Sequence, residues 1–249
     1  LIVAAEVAAI ERATLAAVAP DRIEPVGDWL VALSDGVIRR AKSAVPLRHD
    51  LDGDPAGLDQ IEALYAKAGL PPAFRLPDVP GLGAVREELT RRGYGFEQPT
   101  LVMTGTVEGL RAVSQGEPCV VDARPDGSWS RVFLGEGFDP VDGAGRVAAL
   151  SRAKGAAFGA VREGGEAVAV GVVSFAEDWA SIHGMRTALA RRGEGLAGRV
   201  LAGLAEAARA RGVRRVFLQV EEGNAPARAL YRRAGFETAW RYFYWSRPG

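Results

Sequence analysis

The stretch with the clearest chemical potential is Arg192-Gly193-Glu194-Gly195-Leu196-Ala197-Gly198. It lies between an apolar run with strand character, 179–187, and a long run with helical spacing, 196–211. Glycine at such a junction lets the backbone approach a ligand closely, because no Cβ stands in the way. The N–H groups there, with the positive end of the helix dipole behind them, suit an anion such as a pyrophosphate. Arg192 adds a positive charge at the rim. The same residues would also serve as a glycine-rich turn that only starts a helix, and the stretch by itself leaves both readings open. A P-loop nucleotide site is excluded, since no Lys-Ser/Thr pair follows the glycines. The single cysteine, Cys119, leaves no disulfide framework and no thiolate metal site, and no metal is expected. Its apolar neighbours Pro118, Val120 and Val121 mark it as a buried structural thiol.

Composition limits the partners. A hydrophobic share of 48% with 25% charged residues is that of a soluble globular protein, and 249 residues suffice for one large domain or two small ones. Basic and acidic residues balance at 31 each, so no overall field draws in nucleic acid or an anionic membrane. Any phosphate recognition must therefore be local. No apolar run is long enough to span a bilayer and no stretch resembles a signal peptide, so the cytoplasm is the expected compartment.

The elements that must position the glycine stretch follow from periodicity and punctuation. The first half predicts a helix over 2–18 that stops before Pro20, then strands over 29–33 and 37–45 around Ser34-Asp35-Gly36. Residues 50–55 read as a polar turn. A helix over 58–68 ends at Gly69, a short strand spans 73–76, and a helix over 80–92 is closed by Gly93. A strand over 96–106 is interrupted near Pro99. Ser, Gln, Gly and Pro at 114–118 suggest a boundary, dividing the chain into domains 1–115 and 116–249. The second half predicts a strand over 119–123, helices over 128–134 and 141–154, and antiparallel strands over 156–162, 166–175 and 179–187. After the glycine stretch come a helix stopped by Gly212, a strand over 213–221, a helix over 225–234 between Asn224 and Gly235, and an aromatic strand over 236–245. The halves echo each other: Leu89-Thr90-Arg91-Arg92-Gly93-Tyr94 lines up with Tyr231-Arg232-Arg233-Ala234-Gly235-Phe236, as an internal duplication would produce.

On these residues the second half resembles the GCN5-related N-acetyltransferase (GNAT) superfamily, whose members move an acyl group from coenzyme A to an amine. The superfamily's glycine motif is matched by Arg192, Gly195 and Ala197. Its later signature is matched by Asn224, Ala227, Tyr231, Gly235 and Phe236. The first half resembles a degenerate GNAT-like repeat without a glycine cradle, with Leu89 where the second repeat has Tyr231. The resemblance implies an α/β (α+β) fold of two GNAT-like domains, each a mixed, mostly antiparallel sheet flanked by helices, with one active site, in the C-terminal domain. It implies acetyl-CoA as co-substrate, its pantetheine arm between splayed strands 179–187 and 213–221. Amides around Met185 and Thr187 would pair with the arm, and the one near Met185 would also stabilise the oxyanion. The backbone from Arg192 and Gly193 through Glu194, Gly195, Leu196 and Ala197 to Gly198 would hold the pyrophosphate. Asn224 and Ala227 would meet the arm, and Tyr231 would protonate the leaving thiolate.

The proton acceptor for the ammonium substrate is less legible. Strict alternation on 179–187 puts Ser181, His183, Met185 and Thr187 on one face. Some family members carry Glu where this chain has Ser181. His183, whose intrinsic pKa suits a base, is one candidate. Glu177, with Asp178, Glu221 or Glu222, supplies the others. His49 reads as a surface residue and Trp29 as core. Arg39 and Arg40, on consecutive strand positions, would point opposite ways, so at most one would face a site. The aromatic tail, Trp240 to Trp245, suits either a pocket wall or core packing. The expected acceptor is a small-molecule or peptide amine, attacked directly in a ternary complex because Cys119 lies outside the motifs. The reading from another class is a CoA-binding regulatory or interaction module without turnover.

Overall fold

A computed structural model describes residues 3–51, 56–137 and 139–248. The polar turn expected at 50–55 lies mostly outside them. The first half runs α1 (Ala4–Val18), β1 (Arg22–Val26), β2 (Trp29–Leu33), β3 (Ala44–Pro46), α2 (Ala56–Ala68), β4 (Ala73–Pro77), α3 (Gly83–Arg91), β5 (Gly95–Thr106) and α4 (Val107–Ala112). The second runs β6 (Val120–Asp122), α5 (Gly127–Leu134), α6 (Pro140–Arg152), β7 (Ala157–Glu163), β8 (Glu166–Ala176), β9 (Trp179–Thr187), α7 (Leu196–Ala210), β10 (Arg215–Glu221), α8 (Ala225–Arg233) and β11 (Glu237–Ser246). The strand expected over 37–45 is instead a 3-10 turn, Arg39–Lys42, followed by the short β3. Among the described residues no helix is long and apolar enough to cross a membrane, and no His, Cys, Asp and Glu cluster could hold a metal.

The two expected sheets are one. A single mixed sheet of 11 strands runs β1-β2-β3-β4-β11-β5-β10-β9-β8-β7-β6. Its centre shows why: β5 of the first half inserts between β10 and β11, while β11 of the second inserts between β4 and β5. Each half thus lends its last strand to the other. The local cause is duplicated as well. Helices α3 and α8 end in the same hydrogen-bonded cap, with Tyr94 N–H donating to Leu89 and Phe236 N–H to Tyr231, both at 3.0 Å. Gly93 (φ +82°) and Gly235 (φ +77°) supply the left-handed residue that such a cap requires.

Alternation along the central strands sorts the helices onto two faces. Leu101, Met103, Val216 and Leu218 meet α7 and α8, whereas Val102, Phe217, Tyr242 and Tyr244 meet α1. Helices α2 and α3 continue the α7 face over the first half, packing on Phe74, Leu76 and Trp245. Trp29 is core, as expected. Helix α1 crosses the halves, lying on β8 and β9 while its Glu11 pairs with Arg75 of β4 at 2.5 Å, both side chains fully buried. That crossing brings the first half to the rim of a cavity in the second.

Candidate functional site

Strands β9 and β10 run parallel and pair only from Trp179–Ile182 against Arg215–Leu218. Beyond Ile182 and Leu218 they part, and a cavity of about 940 Å3 passes through the opening from one face of the sheet to the other. The departure starts at a bulge in β9, where the register against β8 slips between Val170 and Val172. Gly184 sits there at φ +61°, and a Cβ on it would meet Leu150 at 3.1 Å and Phe133 at 3.4 Å. A residue with a side chain would be strained in backbone and crowded at once.

The bulge corrects the expected face assignment. Ser181 and His183 point to the α1 face, but Met185 turns to the α7 face, where its Sδ lies over Gly171 near Val200. Ala188 N–H donates to Val168 of β8 at 2.9 Å. By the alternation of an antiparallel ladder, the Thr187 amide points the other way, into the parted edge.

On the α7 face the cavity ends at the glycine stretch. Gly193 (φ +87°) and Gly195 (φ +77°) are both left-handed, and a Cβ on either would stand in open space. Gly195 is the N-cap of α7, with no side chain capping the first-turn amides. Apart from Gly198 N–H, which donates to the Gly195 carbonyl at 3.0 Å, those donors and the helix dipole remain directed at the cavity. Arg192, Gly193, Gly195, Leu196, Ala197 and Gly198 all line it. Glu194 does not, because its carboxylate is turned aside into bonds with Arg191. Asn224 caps α8 through its side-chain oxygen, which accepts from Ala227 N–H at 3.2 Å, and both residues line the cavity. Tyr231 is buried on the same wall, and burial pushes its hydroxyl up to about 12.

On the α1 face the walls come from both halves. His183 Nε2 lies 3.0 Å from Ser174 Oγ and its Nδ1 lies 3.1 Å from Ser181 Oγ. Burial, reinforced by the charge of Arg40, lowers its pKa to about 3. The imidazole is therefore neutral and a poor base, contrary to the expectation from its intrinsic value. Glu177 lies in the tight turn before β9, at φ +54°, at the far end of the strand from Met185 and outside the cavity. Among the described residues, Glu221 is the only carboxylate on the cavity wall, held by Gln98 Nε2 at 2.7 Å.

Arg39 and Arg40 both reach the cavity, because a 3-10 turn does not alternate as a strand would. Arg39 lies 4.2 Å over the Tyr244 ring and pairs with Glu97 at 2.9 Å. Arg40 donates to Gln219 Oε1 at 3.1 Å, and the same oxygen accepts from the Tyr242 hydroxyl at 2.9 Å. Tyr242 and Tyr244 of the aromatic tail thus wall the cavity, while Trp240 and Trp245 are core. His49 is not at the surface: its ring packs 5.0 Å from Trp240, and burial lowers it to about 4. The sequence offered no signal for Gln98, Thr100, Arg146 or Gln219 as cavity residues, since they come from three separate elements, β5, α6 and β10.

Comparison with known proteins adds to this geometry. A family model described as "Probable histone acetyltransferase Rv0428c C-terminal" matches residues 4–245. The chain is 26% identical over 226 residues to the uncharacterized N-acetyltransferase YobR of Bacillus subtilis, covering 88% of this chain and 90% of that protein. A GCN5-related N-acetyltransferase from Kribbella flavida superposes with a TM-score of 0.73 at 19% identity, covering 99% of this chain and 96% of that one. A tandem GNAT protein from the clavulanic acid biosynthesis pathway superposes with a TM-score of 0.62 at 18% identity, covering 89% of this chain and 79% of that one. At these identities the superpositions speak to the fold.

Proposed function

Because the chain belongs to the family described as the C-terminal region of the probable histone acetyltransferase Rv0428c, and so to the GNAT N-acetyltransferases, we propose that its cavity transfers acetyl from acetyl-CoA to an amine by direct attack in a ternary complex. The observation that carries this reading is the parting of β9 and β10 directly above the uncapped N-terminus of α7. An elongated ligand with an anionic end fits there, its diphosphate over Gly193 and Gly195, where a Cβ would fill the space.

When bound, acetyl-CoA would supply an activated thioester that the amine attacks, with release of a thiolate. The chain's residues would do the rest. The backbone from Arg192 to Gly198 holds the diphosphate, Glu194 contributing its backbone only. The Met185 and Thr187 amides bind the arm as a short added strand, and the Met185 amide also stabilises negative charge on the thioester oxygen. Asn224 offers its amide N–H groups to the arm, and Ala227 leaves it room. Tyr231, protonated at neutral pH as any tyrosine is and kept so by its burial, donates its proton to the thiolate. His183, uncharged and with both ring nitrogens held by Ser174 and Ser181, forms a fixed part of the wall beside the amine, and Glu221 takes the ammonium proton through water. Residues 1–115 and 116–249 are two repeats of one ancestral unit, a reading that the matching caps and the reciprocal strand exchange support.

The test is calorimetric titration with acetyl-CoA beside ATP and NAD, followed by a thiol-release assay over a panel of amines. Selective binding of acetyl-CoA with turnover is expected. Equal binding of the three ligands, or none, would refute the assignment of the cradle.

A further inference from the structure

Resting on that reading, we infer that the acceptor amine also carries a carboxylate, which the guanidinium of Arg40 receives on the α1 face of the cavity. Among the described residues, the cavity wall holds seven arginines and one carboxylate. The diphosphate site on the α7 face accounts for Arg192, Arg233 and Arg191, the last already engaged by Glu163 and Glu194. Arg39, Arg40, Arg146 and Arg186 lie across the sheet from it, with the acceptor. Arg39 is matched by Glu97, and Arg146 by Asp142 at 2.6 Å. Arg186 packs over the Phe133 ring at 5.4 Å, and burial together with the charge of Arg146 lowers its pKa.

Arg40 differs from these. Among the described residues it has no carboxylate within ion-pair distance, and its one hydrogen bond goes to a neutral amide oxygen, Gln219 Oε1. Glu11, whose carboxyl feels the Arg40 charge, is taken by Arg75 at 2.5 Å. Gln219 is itself fixed from two sides, by the Tyr242 hydroxyl and by its own bond to Thr14 at 2.9 Å. A half-buried guanidinium is thus held in place on the cavity wall with most of its planar fork unengaged. Leaving such a charge without a counter-ion is unfavourable, and a carboxylate matches its geometry in a bidentate manner. The same field repels a lysine-rich acceptor. The substrate class is therefore a small amino acid-like zwitterion rather than a basic peptide tail.

The experiment compares thiol release from acetyl-CoA with free amino acids, their α-carboxamides and a lysine-rich peptide, rates being corrected for the fraction of free amine. Wild type should favour carboxylates over matched carboxamides by about 10- to 100-fold in kcat/KM, the range of a charge-assisted hydrogen-bonded pair. Arg40→Gln should abolish the preference and Arg40→Lys should retain part of it, both with unaltered acetyl-CoA affinity and a melting temperature no lower than that of wild type. Equal or better use of carboxamides or the peptide, no turnover of any carboxylate-bearing amine, or a preference that survives in Arg40→Gln would overturn the inference. Loss of acetyl-CoA binding by wild type would instead sink the underlying assignment of the cavity.

Discussion

Replacing Gly195 by Asp and, separately, by Asn isolates the electrostatics of the cradle. Gly195 sits at φ +77° with open space around its Cβ position, so neither side chain meets a steric barrier in the free protein. Both residues tolerate the left-handed region better than other L-residues, and each should cost at most ~1–2 kcal/mol of stability. They are nearly isosteric, so the difference between them is one negative charge at the N-terminus of α7. At about 4 Å from a bound phosphate, with an effective dielectric of ~20–80, that charge repels by about 1–4 kcal/mol. The acetyl-CoA dissociation constant of Gly195→Asp should thus exceed that of Gly195→Asn by about 5- to 1,000-fold. Raising the salt concentration should narrow the gap. Calorimetry measures the affinities, and thermal melts of both variants control for strain. Equal affinities for Asp and Asn would show that no anion sits over Gly195, whatever the melts do.

Tyr231→Phe should lower kcat by about 100-fold or more, in the range of general-acid catalysis, with acetyl-CoA affinity unchanged; a normal rate removes Tyr231 from the chemistry. Glu11→Ala strands the buried Arg75 and should destabilise the fold by about 3–5 kcal/mol, or roughly 6–20 °C in Tm. A shift below about 2 °C would mean that this pair does not clamp α1 to β4. His183 has a folded pKa of about 3 against an ordinary 6.5, so between those values the unfolded chain binds the proton and the folded chain does not. Its contribution is complete above pH 6.5 and declines on acidification by about 1.4 kcal/mol per pH unit until pH 3. His49, lowered to about 4, acts with the same sign over a narrower window. Denaturation of His183→Gln between pH 4 and 6.5 should show a shallower loss than wild type, and parallel curves would contradict the buried neutral imidazole.

The glycine stretch and the segment from Asn224 to Phe236 were legible in the sequence because they are local. Gly193, Gly195 and the start of α7 lie within one turn of chain, and Asn224 to Phe236 is one helix with its two caps, so spacing alone specifies their geometry. Core alternation on β10 and the helix ends at Gly93 and Gly235 were readable for the same reason. What spacing could not show depends on partners distant in sequence. The bulge at Gly184 separates Met185 from His183, and it exists because β9 must part from β10 while staying paired to β8. The pKa of His183 is set by the packing around it and by Arg40, which lies in the other half of the chain, a placement visible only once α1 and the 3-10 turn cross to the second half. The exchange of β5 and β11 likewise turns two expected sheets into one, since strand pairing across the halves is decided by which unpaired edges meet in space. Local chemistry thus determined the glycine turn at the start of α7 and the capped helix from Asn224 to Phe236. Tertiary assembly decided which residues wall the cavity on the α1 face.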